Sequence, residues 1–89
     1  MKHFVYLLIS YQKNKFITYV GYTNDIKKRL KLHNSSKGAK FTKGRKWKII
    51  YKKPYNTKSE AMKNEYLLKK NSIKRKKIKK NFLLKNINI

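Results

Sequence analysis

Apolar residues run without interruption from Phe4 to Ile9, inside the segment KHFVYLLISY at residues 2–11. β-Branched and aromatic side chains fill it, so it reads as a strand. The polar QKNK that follows is turn-like, and FITYVGY at residues 16–22 reads as a second strand. A four-residue connection, Tyr11 to Asn14, pairs Ser10 with Lys15 and sets Tyr6 opposite Tyr19, in side-chain contact. No Asn-Gly pair pins that register. Thr23 or Asn24 then caps a helix, with Asp25 suited to its positive N-terminal end, and the helix runs to about His33. Asn34-Ser-Ser-Lys-Gly ends it, Gly38 is a flexible joint, and GAKFTKGRK is a basic loop. Residues 47–51, WKIIY, form a third strand closed by Pro54. Thr57-Lys-Ser-Glu60 fits a capping box that opens a helix to about Asn71. Ser72 caps a last, lysine-laden helix, SIKRKKIKKNFLLK. The order β-β-α-β-α-α predicts an α+β fold, a small three-stranded antiparallel sheet flanked by helices. Residues 1–71 form its body, and residues 72–89 add a basic C-terminal helix packed on or extending it.

The helical pattern also locates the residues that do not fit a plain scaffold. On the first helix Ile26, Leu30 and His33 share a face, with Arg29 beside His33 four positions away. Lys27, Lys28 and Lys31 point elsewhere. On the second helix Ala61, Met62, Tyr66 and Leu68 form an apolar arc, and Glu65 falls within it. A carboxylate there is costly unless it is paired or binds a metal. Asp25 and Glu60, the other acids, have ordinary roles at helix starts. Glu65 is either half of an ion pair with a neighbouring cation or a single oxygen ligand for a hard cation such as Mg²⁺, which keeps most of its waters.

Composition narrows the partners. A chain of 89 residues supports one domain with a small core. Without cysteine there are no disulfides and no thiolate zinc sites, and two histidines cannot build a structural zinc site. The Phe4–Ile9 run is far too short for a bilayer, and no small-residue cleavage site follows it. The net charge of +23, from 26 Lys+Arg against 3 acids, makes nucleic acid the first expected partner. An anionic membrane comes second, but no stretch pairs a broad apolar face with a lysine face. Lysine abounds together with Asn and Ile, as in AT-rich genomes, which leaves drift on solvated faces as an alternative source for some of the lysine. Arginine, present only three times, says more: its planar fork suits a phosphate.

In sum, the chain resembles the GIY-YIG endonuclease domain family over about residues 3–71. FVYLL stands at the first motif with Tyr6 at its tyrosine, and YVGYT at the second with Tyr19 and Gly21. KKRLKLHN is similar to the family's helix, with Arg29 at the phosphate-binding arginine and His33 at the histidine. SEAMKNEYLLKK is similar to the metal helix, with Glu65 at the metal-binding glutamate. Val5 replaces the first glycine of the family name, and Tyr22 stands where some members carry a lysine. Asn71 and Asn81 are the candidates for a family asparagine beyond the glutamate. The cysteine-rich zinc domain of the branched-DNA members has no counterpart.

The resemblance implies a Mg²⁺- or Mn²⁺-dependent endonuclease that hydrolyses DNA phosphodiesters. Its substrate would be branched, flapped or nicked duplex met in repair or recombination, with no membrane partner. Glu65 would hold the metal, Arg29 would clamp the phosphate, Tyr19 would be the general base and Tyr6 would bond the water or phosphate. His33 would orient either phenol or share the proton. A phenol with a pKa near 10 needs nearby cations to act as base. Gly21 would let substrate backbone pass closely. Lys37, Lys40, Lys43, Arg45 and Lys46 would track phosphates, while Phe41 and Trp47 are either base stackers or core. Ile73, Ile78, Phe82 and Leu83 suggest that one face of the last helix docks on the sheet or on another chain. The alternative functions are a weakly catalytic nucleic-acid-binding module, for repair or RNA, and a small basic protein of a ribosome or nucleoid. The expected setting is bacterial cytoplasm at the nucleoid, or else an AT-rich organelle or infected cell.

Overall fold

The computed structural model describes residues 2–86. Strand β1 (His3–Gln12) lies between β2 (Lys15–Thr23) and β3 (Lys48–Tyr55), both antiparallel to it. Helix α1 (Ile26–Asn34) precedes β3, and α2 (Lys58–Lys70) and α3 (Ser72–Asn86) follow it. The α+β architecture and the element order are those expected. Because β1 is central and covered on both faces, its run from Val5 to Ile9 is buried without alternation.

The two faces separate the core. Val5, Leu7 and Val20 pack with Ala61 and Leu68 of α2, and Ile78 of α3 joins them. Tyr6, Leu8 and Trp47 pack on the other face with Ile26 and Leu30 of α1. Between Leu7 and Leu8 the pairing with β3 skips Ile50, so the irregularity lies in β3. Gly21 is paired regularly.

Several boundaries differ from expectation. The hairpin turns on Lys13 and Asn14 alone, both with positive φ (53° and 63°), so Gln12 pairs with Lys15. Tyr6 therefore faces Gly21, and Tyr19 faces Leu8. The slip from the expected register is two residues, which keeps every side chain on its expected face. Asp25 itself is the N-cap of α1, accepting from the Lys28 amide at 3.1 Å. Strand β3 continues through Pro54, which an edge strand tolerates because it needs no donor on its open side. Thr57 caps α2 as expected, accepting from the Glu60 amide and donating to its carboxylate. Asn71, not Ser72, caps α3 through the Lys74 amide.

Helix α2 buries a narrower stripe than its apolar arc implied: Ala61 and Leu68 are buried, but Met62 and Tyr66 are about half exposed. Helix α3 is docked rather than trailing. Arg75 donates to the Leu68 and Lys69 carbonyls at the end of α2, both at 3.0 Å, and Lys79 donates to the Phe16 carbonyl of β2 at 2.8 Å. Ile78, Phe82 and Leu83 are partly buried, whereas Ile73 is exposed.

Candidate active site

The Tyr6 side chain leaves the central strand and crosses its neighbour over Gly21. A Cβ at position 21 would run into the phenol oxygen. The missing side chain thus makes room for Tyr6, an internal reason for glycine that sequence reasoning had assigned to substrate. Beyond Gly21 the phenol reaches α1, where its oxygen lies 2.9 Å from Nε2 of His33.

His33 is completely buried at the C-terminal end of α1. Its Nδ1 lies 2.8 Å from the Thr42 hydroxyl, in the loop between α1 and β3. Burial lowers the His33 pKa, and the Arg29 charge lowers it further, so the imidazole is neutral near pH 7. Burial raises the Tyr6 pKa; Arg29 works against that rise through polar contact and charge. Tyr6 therefore holds its proton. The half-buried Tyr19 ring stands edge-on to His33, with centroids 5.3 Å apart, and stacks on Phe41 at 6.0 Å. Arg45 lies over the Phe41 ring at 5.2 Å.

Glu65 approaches from the other face of the sheet. Its side chain is 20% exposed and lies 3.8 Å from Lys69, one turn on. That contact is long and its lysine is half in water, so it is a weak pair. The Glu65 charge is felt at Tyr6, where it adds a minor upward push behind burial. A cleft of about 280 Å³ wraps the β2 edge, lined by Thr18, Tyr19, Val20, Phe41, Lys69 and Arg75. Among the described residues no cluster of three or more His, Cys, Asp or Glu exists. One carboxylate with an open side suits a Mg²⁺ ion that retains most of its waters, and does not suit a ligand cage.

Tyr6, Tyr19, Arg29 and His33 thus come together, and of the four it is Tyr6 that feels the Glu65 charge. The basic loop does not converge as one group. Arg45 sits by the aromatic wall, Lys37, Lys40 and Lys43 are exposed, and Lys46 lines a separate apolar groove with Trp47, Phe82 and Leu83. Trp47 is core: it is buried, and its indole donates to the Thr42 carbonyl at 3.0 Å. Asn71 is engaged as a helix cap and Asn81 is exposed.

Sequence reasoning missed Thr42, Gly38 and Asn34. Asn34 clamps the start of β3, accepting from the Trp47 amide at 2.6 Å and donating to its carbonyl at 3.2 Å. Gly38 is no free joint, since a Cβ there would collide with the His33 ring. Gly38 and Thr42 sit in an irregular loop where no periodicity marks burial, and Asn34 ends α1 as an ordinary-looking exposed amide.

This sheet, with two phenols, a guanidinium and an imidazole gathered at one edge and a helical carboxylate behind it, defines a small nuclease-type α+β domain. The GIY-YIG catalytic domain model matches residues 2–80, and the chain belongs to that family. It is 44% identical over 77 residues to the UPF0213 protein YazA of Bacillus subtilis, covering 85% of this chain and 75% of that one. To the UPF0213 protein SERP0126 of Staphylococcus epidermidis it is 45% identical over 69 residues, covering 76% and 80%. The solution NMR structure of the UPF0213 protein BH0048 from Bacillus halodurans aligns with a TM-score of 0.46 and 37% identity, over 86% of this chain and 80% of that one. No helix among the described residues is long and apolar enough to cross a membrane.

Proposed function

We propose that the chain is a divalent-metal-dependent endonuclease that nicks DNA at structural features, such as flaps, nicks or junctions, in repair or recombination at the bacterial nucleoid. The observation that carries this reading is the Tyr6–His33 hydrogen bond at 2.9 Å, with Arg29 beside the phenol and the Glu65 charge within reach. A neutral, buried imidazole joined to a phenol is a route for a proton. Water attacking phosphorus can pass its proton to the Tyr6 oxygen while Tyr6 passes its own to His33. No free tyrosinate is then required, which removes the cost of ionising a phenol near neutrality. Family likeness pointed to Tyr19 as base; the hydrogen bond favours Tyr6, with Tyr19 as the wall that positions water or phosphate.

Arg29 would hold the phosphate and meet its growing charge. Glu65 would hold Mg²⁺ or Mn²⁺, which when bound offsets charge on the leaving oxygen. Lys37, Lys40, Lys43, Arg45 and Lys46 would grip flanking phosphates without reading sequence.

The test is nicking of supercoiled plasmid and of a flap and junction panel with Mg²⁺ or Mn²⁺, beside Glu65→Ala, Tyr6→Phe and Tyr19→Phe. Metal-dependent nicking is expected, lost by roughly 10²-fold or more in Glu65→Ala and Tyr6→Phe and reduced in Tyr19→Phe. Equal nicking by all four proteins would overturn the site. Tight binding with no cleavage by the wild type would favour a weakly catalytic binding module.

A further inference from the structure

Thr42 is as fully buried as His33, and its hydroxyl has a single proton to place. Oγ1 lies 2.9 Å from the Ala39 carbonyl, which can only accept, so the hydroxyl donates there. Toward His33 Nδ1, 2.8 Å away, Oγ1 is then the acceptor. Nδ1 must carry the imidazole proton, and Nε2 of the neutral ring presents a lone pair. Arg29 beside Tyr6 has donors only, so a phenol that turns a lone pair to the guanidinium keeps its own proton free for His33.

The loop leaves the ring little choice of position. Gly38 packs against the Nδ1 edge so closely that a Cβ would collide with it. Thr42 is itself held, its amide donating to the Ala39 carbonyl at 3.2 Å and its carbonyl accepting from the Trp47 indole. We propose that Thr42 is a positioning residue that fixes His33 as the tautomer whose Nε2 lone pair receives the Tyr6 proton. The partner of one imidazole nitrogen sets what the other can do. The consequence for rate rests on the nuclease reading, whereas the tautomer is a property of the chain itself.

Long-range ¹H–¹⁵N spectra of the full chain distinguish a protonated Nδ1 from a protonated Nε2, and His3→Gln assigns the His33 signals. Wild type and Thr42→Ser should show Nδ1 protonated, and Thr42→Val should show a mixture or protonation at Nε2. Plasmid nicking should fall at least about tenfold in Thr42→Val and recover with Thr42→Ser to within about threefold of wild type. A loss due to packing alone would not be rescued by a hydroxyl while moving the ring proton. Wild-type His33 protonated at Nε2 overturns the proposal whatever the variants do, including a Thr42→Val that fails to fold. So does Thr42→Val that retains both the wild-type tautomer and rate. A protein with Nδ1 protonated but no nicking would remove the nuclease reading and leave control of the tautomer by Thr42 standing. Nicking with Nε2 protonated would do the reverse.

Discussion

At the residue scale, His33 controls how the chain answers to acid. Its folded pKa is lowered by burial, then by Arg29, while the unfolded value is about 6.5. Below that pH the unfolded chain binds more protons than the folded one, so stability is lost as pH falls from about 6.5 toward the folded value. The melting temperature should fall across that window, and should fall equally in His3→Gln. A flat profile, or a fall that disappears with His3, would contradict a neutral buried His33. The Arg29–His33 spacing was legible because helical periodicity places residues four apart side by side. Thr42 was not legible, because its neighbour in space lies nine residues away across an irregular loop.

At the element scale, the hairpin shows what local sequence leaves undecided. Both turn residues adopt positive φ, which Asn tolerates and Lys does not favour. The turn geometry matches the twist of the strands, so pairing of β1 with β2 selects it over a looser loop. Replacing Lys13-Asn14 by Asn-Gly should raise stability by up to about 1 kcal/mol, read from denaturant melts with an unchanged m-value. A loss of stability would mean that the lysine makes a contact worth more than its backbone strain. The α2 capping box was legible in four consecutive residues, because a cap is a local contract between near neighbours. The exposure of Met62 and Tyr66 was not, since a helical wheel shows which residues share a face but not how wide the covering surface is.

At the scale of the molecule, +23 on so small a body sets the terms of association. Affinity for duplex DNA should fall linearly on a log–log plot against salt, with a slope set by the phosphates neutralised. Exchanging Lys37, Lys40 and Lys43 for Gln should flatten that slope by about one unit for each lysine that meets a phosphate. A slope unchanged by the triple exchange would place the grip elsewhere, with α3 the next surface to test. That helix is tied to α2 by Arg75 and to β2 by Lys79, which holds its lysines against the same body as the sheet.

The chain's own order of residues determined its elements, its fold class and the short inventory of unusual side chains: a helical Arg–His pair, two strand tyrosines and an acid on an apolar face. Those are properties of periodicity and local capping, which act over one or two turns. Folding in three dimensions decided that Tyr6 crosses Gly21 to meet His33, that Thr42 closes the far side of the ring and that Trp47 is core. Each of these depends on which face of which strand a distant loop covers, and burial of that kind is a sum over neighbours that sequence distance does not encode.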